Sequence, residues 1–144
     1  MGIDIDIRPH NRQAIETHPM APRIRMIEGS SVAPEVVAQV QAHATGRGTV
    51  LIALDSNHTH AHALAELQAY APLVTKGSYL VVFDTVIEDM PEELSADRPW
   101  GHGDNPKTAV FEFLKDHPEF EIDHDLEAKL LLTVAPSGYL RRKE

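Results

Sequence analysis

Two aspartates in this chain stand where an apolar run gives way to a loop. The stretch Thr49–His62 reads TVLIALDSNHTHAH. Its run from Val50 to Leu54 has the length and composition of a buried strand, and it ends on Asp55. His58 follows three residues later, at the mouth of a predicted helix. Ser78 to Phe83 repeats the arrangement and delivers Asp84, with Thr85 beside it. A third run, Gly2 to Asp6, carries Asp4 and Asp6. Open α/β sheets bind ligands in the crevice outside the carboxyl ends of their strands. Three acid-ended strands therefore point to a cofactor, with a metal ion as a further expectation.

Each residue also has a plainer reading. Asp55 and Asp84 are the type of residue that caps helices or sits in loops. Asp6 competes with Asp4 and also suits a cap for the helix that Pro9 opens. His58 is either a proton acceptor near neutral pH or a helix-start residue that orients Asp55 by a hydrogen bond. His58 and His62 are four apart, a spacing that can put both on one helix face for zinc. Without a suitably placed Glu, and in a chain that has no cysteine, that signal is weak. A structural role suits His60 and His62 better. His102, Asp104 and Asn105 belong either to an acceptor pocket or to a solvated loop, and the sequence leaves the roles of Tyr139, Arg141 and Arg142 open.

The elements that must position these groups follow from pattern. Met1 to Ile7 alternates with period two, as a strand does, while Asp4 is the alternative strand end, with Ile5 onward forming the turn. Pro9 fits a first helical turn, and that helix stops before His18-Pro19. Arg23 to Glu28 is a short strand, Gly29-Ser30-Ser31 a turn, and Ala33 to Ala44 a helix that Ser30 or Ser31 can cap. Thr59 to Tyr70 is a helix with Ala61, Leu64, Ala65, Leu67 and Ala69 as its apolar residues. Thr85 to Pro106 is an acidic stretch with Pro91, Pro99, Pro106 and Trp100, the chain's only tryptophan. Loops of this length are usually functional, so it reads as a lid. Pro106 to Asp116 is a helix. Glu119 to Ile122 and Leu130 to Val134 are two final strands with no helix between them. The order β-α-β-α-β-α-β-loop-α-β-β predicts one doubly wound α/β domain closed by an antiparallel hairpin.

Composition narrows the functional classes. At 144 residues and 42% hydrophobic, the chain has enough apolar material for one core. The net charge of −9 is spread along the chain, whereas nucleic-acid binding needs a basic footprint. Arg141-Arg142-Lys143 reads as a solvated tail. The lack of cysteine removes disulfides, thiolate metal sites and Cys nucleophiles. There is no apolar run of membrane-spanning length and no signal-peptide pattern, so the expected location is cytoplasmic.

A doubly wound sheet finishing in a hairpin resembles the Rossmann-like class I S-adenosylmethionine-dependent methyltransferases. The words GIDIDIRPHNR (Gly2 to Arg12), IEGSS (Ile27 to Ser31), LDSNHTHAHALAEL (Leu54 to Leu67) and YLVVFDTVIEDMP (Tyr79 to Pro91) are similar to the cephalosporin hydroxylase and rhamnosyl O-methyltransferase family. The resemblance implies that Asp4 holds the ribose hydroxyls of S-adenosylmethionine. It also implies that Gly29, Ser30 and Ser31 lie beside the adenine, and that Asp55 and Asp84 bind a divalent cation such as Mg²⁺. Catechol-type relatives carry Asn or Asp where this chain has Thr85, a weaker ligand. They place a lysine base where this chain has His58. The chemistry implied is in-line methyl transfer to a hydroxyl of a sugar or small natural product. A neutral His accepts the hydroxyl proton, and a hard cation lowers the hydroxyl pKa.

The family pattern begins with an earlier strand and a glycine-rich turn that wraps the methionine end of the cofactor. The expectation is thus an N-terminally truncated domain with its central strand missing. The flanking strand edges would then be pairing hazards, so a homo-oligomer or a rearranged sheet is expected. Two other functions stay open: a non-catalytic module that binds a nucleotide weakly or needs a partner chain, and metal-dependent hydrolysis at the histidines.

Overall fold

The computed structural model describes residues 1–143. The chain forms two compact units, Met1–His43 and Ala44–Glu144.

The first unit is built on two short parallel strands, β1 (Gly2–Asp4) and β2 (Met26–Glu28), with Ile3 opposite Ile27. Helix α1 (Pro9–Glu16) has its proline in the first turn and follows Arg8, whose ψ of 139° is extended as the residue before proline requires. Helix α2 (Pro34–Ala44) buries Val36 and Val40, and Ile27 of β2 is buried as well. Of the two readings of the first strand, the structure has the shorter, ending at Asp4. After Asp4 the chain turns, because the Asp6 N–H donates to the Asp4 side chain at 3.0 Å. Ile5 is left 72% exposed.

The second unit carries a four-stranded sheet in the order β3-β4-β6-β5: β3 (Ile52–Leu54), β4 (Tyr79–Val82), β5 (Phe120–Ile122) and β6 (Tyr139–Arg142). The β3–β4 pair is parallel; β4–β6 and β6–β5 are antiparallel. Leu80 lies opposite both Ile52 and Leu140, and together with Leu67, Val82 and Val110 the two leucines form a fully buried core. Helix α3 (His60–Tyr70) packs against α4 (Pro106–Asp116). Asn105 caps α4 by accepting the N–H groups of Lys107 and Thr108, while the Thr108 side chain answers the Asn105 N–H.

Two expectations change. Leu130–Val134 is not a strand. A short helix, α5 (His124–Leu130), ends where that strand was expected to begin, started by Asp123, which accepts the Leu126 N–H. Glu127, Ala128 and Lys129 are good helix formers. The chain then reverses at Leu131, whose φ is +65°, and Leu132 is 92% exposed. The final strand is instead Tyr139–Arg142, where buried Leu140 carries the pairing and the basic neighbours hide the pattern. Gly138 is required just before it, because a Cβ there would collide with the Val82 carbonyl. The terminal strands do pair antiparallel, with α5 between them.

The expected single sheet is two sheets: β1 pairs only with β2, and β3 only with β4, among the described residues. The architecture is therefore mixed α/β, with a small parallel sheet and a larger mixed one. No helix among the described residues is long and apolar enough to cross a membrane.

Candidate functional site

Because β3 and β4 run parallel, their carboxyl ends fall on one edge of the sheet. Asp55 directly follows β3, and Asp84 comes two residues after β4. The ladder continues one step beyond the strands through the Phe83 N–H, which donates to the Leu54 carbonyl at 2.9 Å. Asp84 itself lies in the left-handed region, with φ 55° and ψ 22°. Aspartate tolerates this conformation better than most residues, but it is a strained one and it redirects the chain into a 3₁₀ turn over Thr85–Asp89. Thr85 is fully buried, and its hydroxyl donates to the Pro136 carbonyl at 2.7 Å, anchoring that turn.

His58 meets both acids. Its Nε2 is 3.0 Å from Asp84 Oδ2 and 4.0 Å from Asp55 Oδ1. Asp55, His58 and Asp84 each offer one ligand atom, all within 4.8 Å of one another, a spread that one cation can bridge. The segment between β3 and α3 is held in shape by its own side chains. Asn57 Oδ1 accepts from the Thr59 N–H and hydroxyl, and the Ser56 hydroxyl donates to Glu66 at 2.7 Å. Glu66 is only 3% exposed. Nearby on the same helix, the Tyr70 hydroxyl is pushed up to about 12 by burial and, secondarily, by the Glu66 carboxylate.

The three histidines do not converge. His58 precedes α3, so it shares no helix face with His62. His60 Nδ1 lies 2.7 Å from the Thr108 hydroxyl and its Nε2 3.1 Å from Glu112, tying α3 to α4. His62 Nε2 faces Glu66 at 3.6 Å. The i,i+4 zinc reading therefore fails for His58 and His62.

The long loop folds onto this edge. Trp100 places its ring 5.3 Å from that of His58, tilted by 55°, and the Arg98 guanidinium lies 5.6 Å above the indole. Glu88 pins the loop by accepting from the Gly103 N–H at 2.9 Å and from the Asn105 amide in a short contact. The Gly103 N–H is the main reason the Glu88 carboxyl sits below its ordinary range, with the Asn105 amide assisting. Asp104 accepts the His60 N–H at 2.6 Å, His102 Nε2 contacts the Met90 carbonyl at 2.8 Å, and Lys107 pairs with Asp89 at 2.6 Å. Thus Asp104 and Asn105 fasten the loop.

In the first unit, Asp4 and the turn after β2 also meet. The Gly29 N–H donates to the Asp4 carbonyl at 2.8 Å. Gly29 has φ +151°, and a Cβ there would lie 3.0 Å from Val36 Cγ2, so the backbone approach demands glycine. Ser30 and Ser31 follow, half-buried, and the Ser30 carbonyl accepts the Ala33 N–H as α2 begins. Beside them, Glu28 pairs with Arg12 at 2.6 Å.

Sequence reasoning missed the pairing of Trp100 with His58 and the part played by Glu66. The second left a signal: Glu66 sits at helical spacing from Ala63 and Tyr70, a charge on the buried face of α3.

The profile of the rhamnosyl O-methyltransferase/CmcI family matches residues 1–143. A rhamnosyl O-methyltransferase of Mycobacterium tuberculosis (strain ATCC 25618 / H37Rv) is 33% identical over 123 residues, covering 84% of this chain and 48% of the relative. One of Mycobacterium leprae (strain TN) is 31% identical over 148 residues, covering 99% of this chain and 58% of the relative. The chain thus spans about half the length of the curated relatives it matches. No solved structure matches it significantly. With its sequence matching the family profile from Met1 to Lys143, the chain belongs to the rhamnosyl O-methyltransferase/CmcI family.

Proposed function

We propose that this chain carries the hydroxyl-activating and nucleotide-holding residues of an S-adenosylmethionine-dependent O-methyltransferase, on the plan of a class I methyltransferase fold. The acceptor is a hydroxyl of a sugar or a small natural product, in line with the relatives' name. The observation that carries the reading is the contact of His58 with Asp84 at 3.0 Å on the carboxyl edge of two parallel strands.

An acceptor hydroxyl must lose its proton as it attacks a methyl sulfonium. With Nε2–H donating to Asp84, the imidazole lone pair falls on Nδ1, the atom that takes the proton. The Asp84 carboxylate then faces the imidazolium that results. Family membership and this donor set support a divalent cation held by Asp55 and Asp84. When bound, it would lower the hydroxyl pKa. The Thr85 hydroxyl, committed to Pro136, supports the turn in this reading and remains the weakest of the proposed ligands. In the first unit Asp4 would accept the ribose hydroxyls, with one oxygen already taken by the Asp6 N–H. Gly29, Ser30 and Ser31 would border the adenine.

Calorimetric titration with S-adenosylhomocysteine, with and without Mg²⁺, tests the proposal. Saturable binding is expected, lost in Asp4→Ala and independent of Asp84→Asn. Mg²⁺ binding should be weakened at least about tenfold in Asp84→Asn, the loss seen even when only a residue that orients a metal ligand is removed. Binding of S-adenosylhomocysteine that is indifferent to Asp4 would overturn the ribose assignment. No binding at all would favour a non-catalytic module that needs a partner chain.

A further inference from the structure

Helix α3 buries a carboxylate among apolar groups. Ala63, Leu67 and Tyr70 share the buried face with Glu66, and none of the four is more than 3% exposed. A carboxylate taken out of water is costly unless donors meet its charge. A leucine would fill the same face without that cost, so the acid is there for what it accepts. Two groups reach its Oε1. The Ser56 hydroxyl donates at 2.7 Å, and His62 Nε2 stands 3.6 Å away, one turn back on the same helix. The His62 contact is local to α3 and longer than a hydrogen bond. The Ser56 bond instead runs from the segment after β3 into the body of the helix.

Ser56 directly follows Asp55 and stands two residues before His58. The Asp55 side chain is 64% exposed, and its one ion pair among the described residues is with His58, at 4.0 Å. The bonds that Asn57 makes to Thr59 stay outside α3. Among the described residues, the Ser56–Glu66 bond is therefore the one side-chain bond that fastens residues 55–58 to α3. We propose that Glu66 is a positioning residue of the candidate site. Through the Ser56 hydroxyl it holds the segment from Asp55 to His58, so that the imidazole stays against Asp84 and the two aspartates stay within reach of one cation. Glu66 acts through Ser56 alone and takes no part in the proton transfer. The inference rests on the methyl-transfer reading above and adds to it a residue that the chemistry itself does not use.

The His58 and Trp100 rings, with centroids 5.3 Å apart, report this position without cofactor or cation. The loop that carries Trp100 is fastened by Glu88, Asn105 and Asp104, none of which bonds to Glu66. Nuclear Overhauser contacts between the two rings are measured in the natural chain and in Ser56→Ala, Glu66→Gln, Glu66→Leu and His62→Ala, each checked by circular dichroism for an unchanged fold. The contacts should be lost in Ser56→Ala and Glu66→Leu. They should persist in Glu66→Gln, whose amide oxygen still accepts from Ser56, and in His62→Ala. Mg²⁺ affinity, measured by calorimetry, should follow the same pattern and fall about tenfold or more in Ser56→Ala, the scale for losing a group that orients a metal ligand. Ring contacts that survive in Ser56→Ala overturn the inference, as does their absence from the natural chain. Loss in His62→Ala as well as in Ser56→Ala also overturns it, since Glu66 would then only support the helix. The two proposals fail separately. A natural chain that binds no Mg²⁺ refutes the cation, while the ring contacts still decide the role of Glu66. Mg²⁺ affinity that is equal in the natural chain and Ser56→Ala refutes the positioning role and leaves the cation standing.

Discussion

Asn105 is fully buried and makes four hydrogen bonds with one side chain. Its oxygen caps α4; its amide donates to Glu88 and to the Gly101 carbonyl, which holds down the loop. Asn105→Ala removes the cap, at about 1 kcal/mol. It also strips a donor from each of two partly enclosed acceptors, at about 1 kcal/mol or more apiece. The sum is about 3 kcal/mol, or a melting temperature lowered by roughly 6–12 °C for a chain of this size. Urea unfolding followed by circular dichroism gives the free energy, and tryptophan emission reports the loop. Asn105→Asp is the sharper variant. It keeps the capping oxygen but sets a second carboxylate against Glu88, so α4 should keep its cap while Trp100 emission moves toward that of solvated indole. A loss under about 1 kcal/mol in Asn105→Ala, with emission unchanged in both variants, would refute the argument that this one amide couples helix and loop.

Two further outcomes are expected. Glu88 has its carboxyl held below the ordinary value of 4.5, so its contribution to stability is present above that value and is lost as pH falls through the depressed one. The natural chain should therefore lose urea resistance below about pH 4.5 more steeply than Glu88→Gln, and parallel slopes would show that Glu88 does not pin the loop. Gly29→Ala should destabilise the first unit by about 1–3 kcal/mol, since it adds both a disfavoured φ and a contact with Val36, and S-adenosylhomocysteine affinity should fall with it. Thermal melts of the variant with and without that ligand check both, and an unchanged melt would refute the close-approach argument.

The sequence was most legible where one periodicity ran unbroken. The helices from Pro9, Pro34, His60 and Pro106 start within a residue or so of expectation, and in three of them a proline marks the first turn. Asp55 and Asp84 were placed at one edge by two apolar runs alone, and the structure brings them together with His58. The Leu130-Leu131-Leu132 run misled for a physical reason. A short apolar run does not distinguish a strand from a helix end, and the deciding signal was the Asp123 cap seven residues earlier. The final strand was hidden because its pairing rests on backbone and one leucine, and its two arginines read as part of a solvated tail, whereas Arg142 is half-buried and donates to the Val74 carbonyl at 2.6 Å. The partner of Asp104 was not legible either, since it depends on how the long loop packs against α3, and no local pattern encodes that.

Helix α3 does not cap itself. Thr59 stands at the capping position without a side-chain bond to the helix, and the first-turn N–H of His60 is satisfied by Asp104, 44 residues along the chain. The loop therefore supplies the terminus of a helix it does not belong to. Lifting the loop exposes that N–H and frays the turn adjoining His58, so loop opening and fraying at the site form one cooperative event. Amide exchange at His60 would then time the opening of the loop from a position outside it, and its rate should match exchange at Gly103, whose N–H is held by Glu88 on the loop itself.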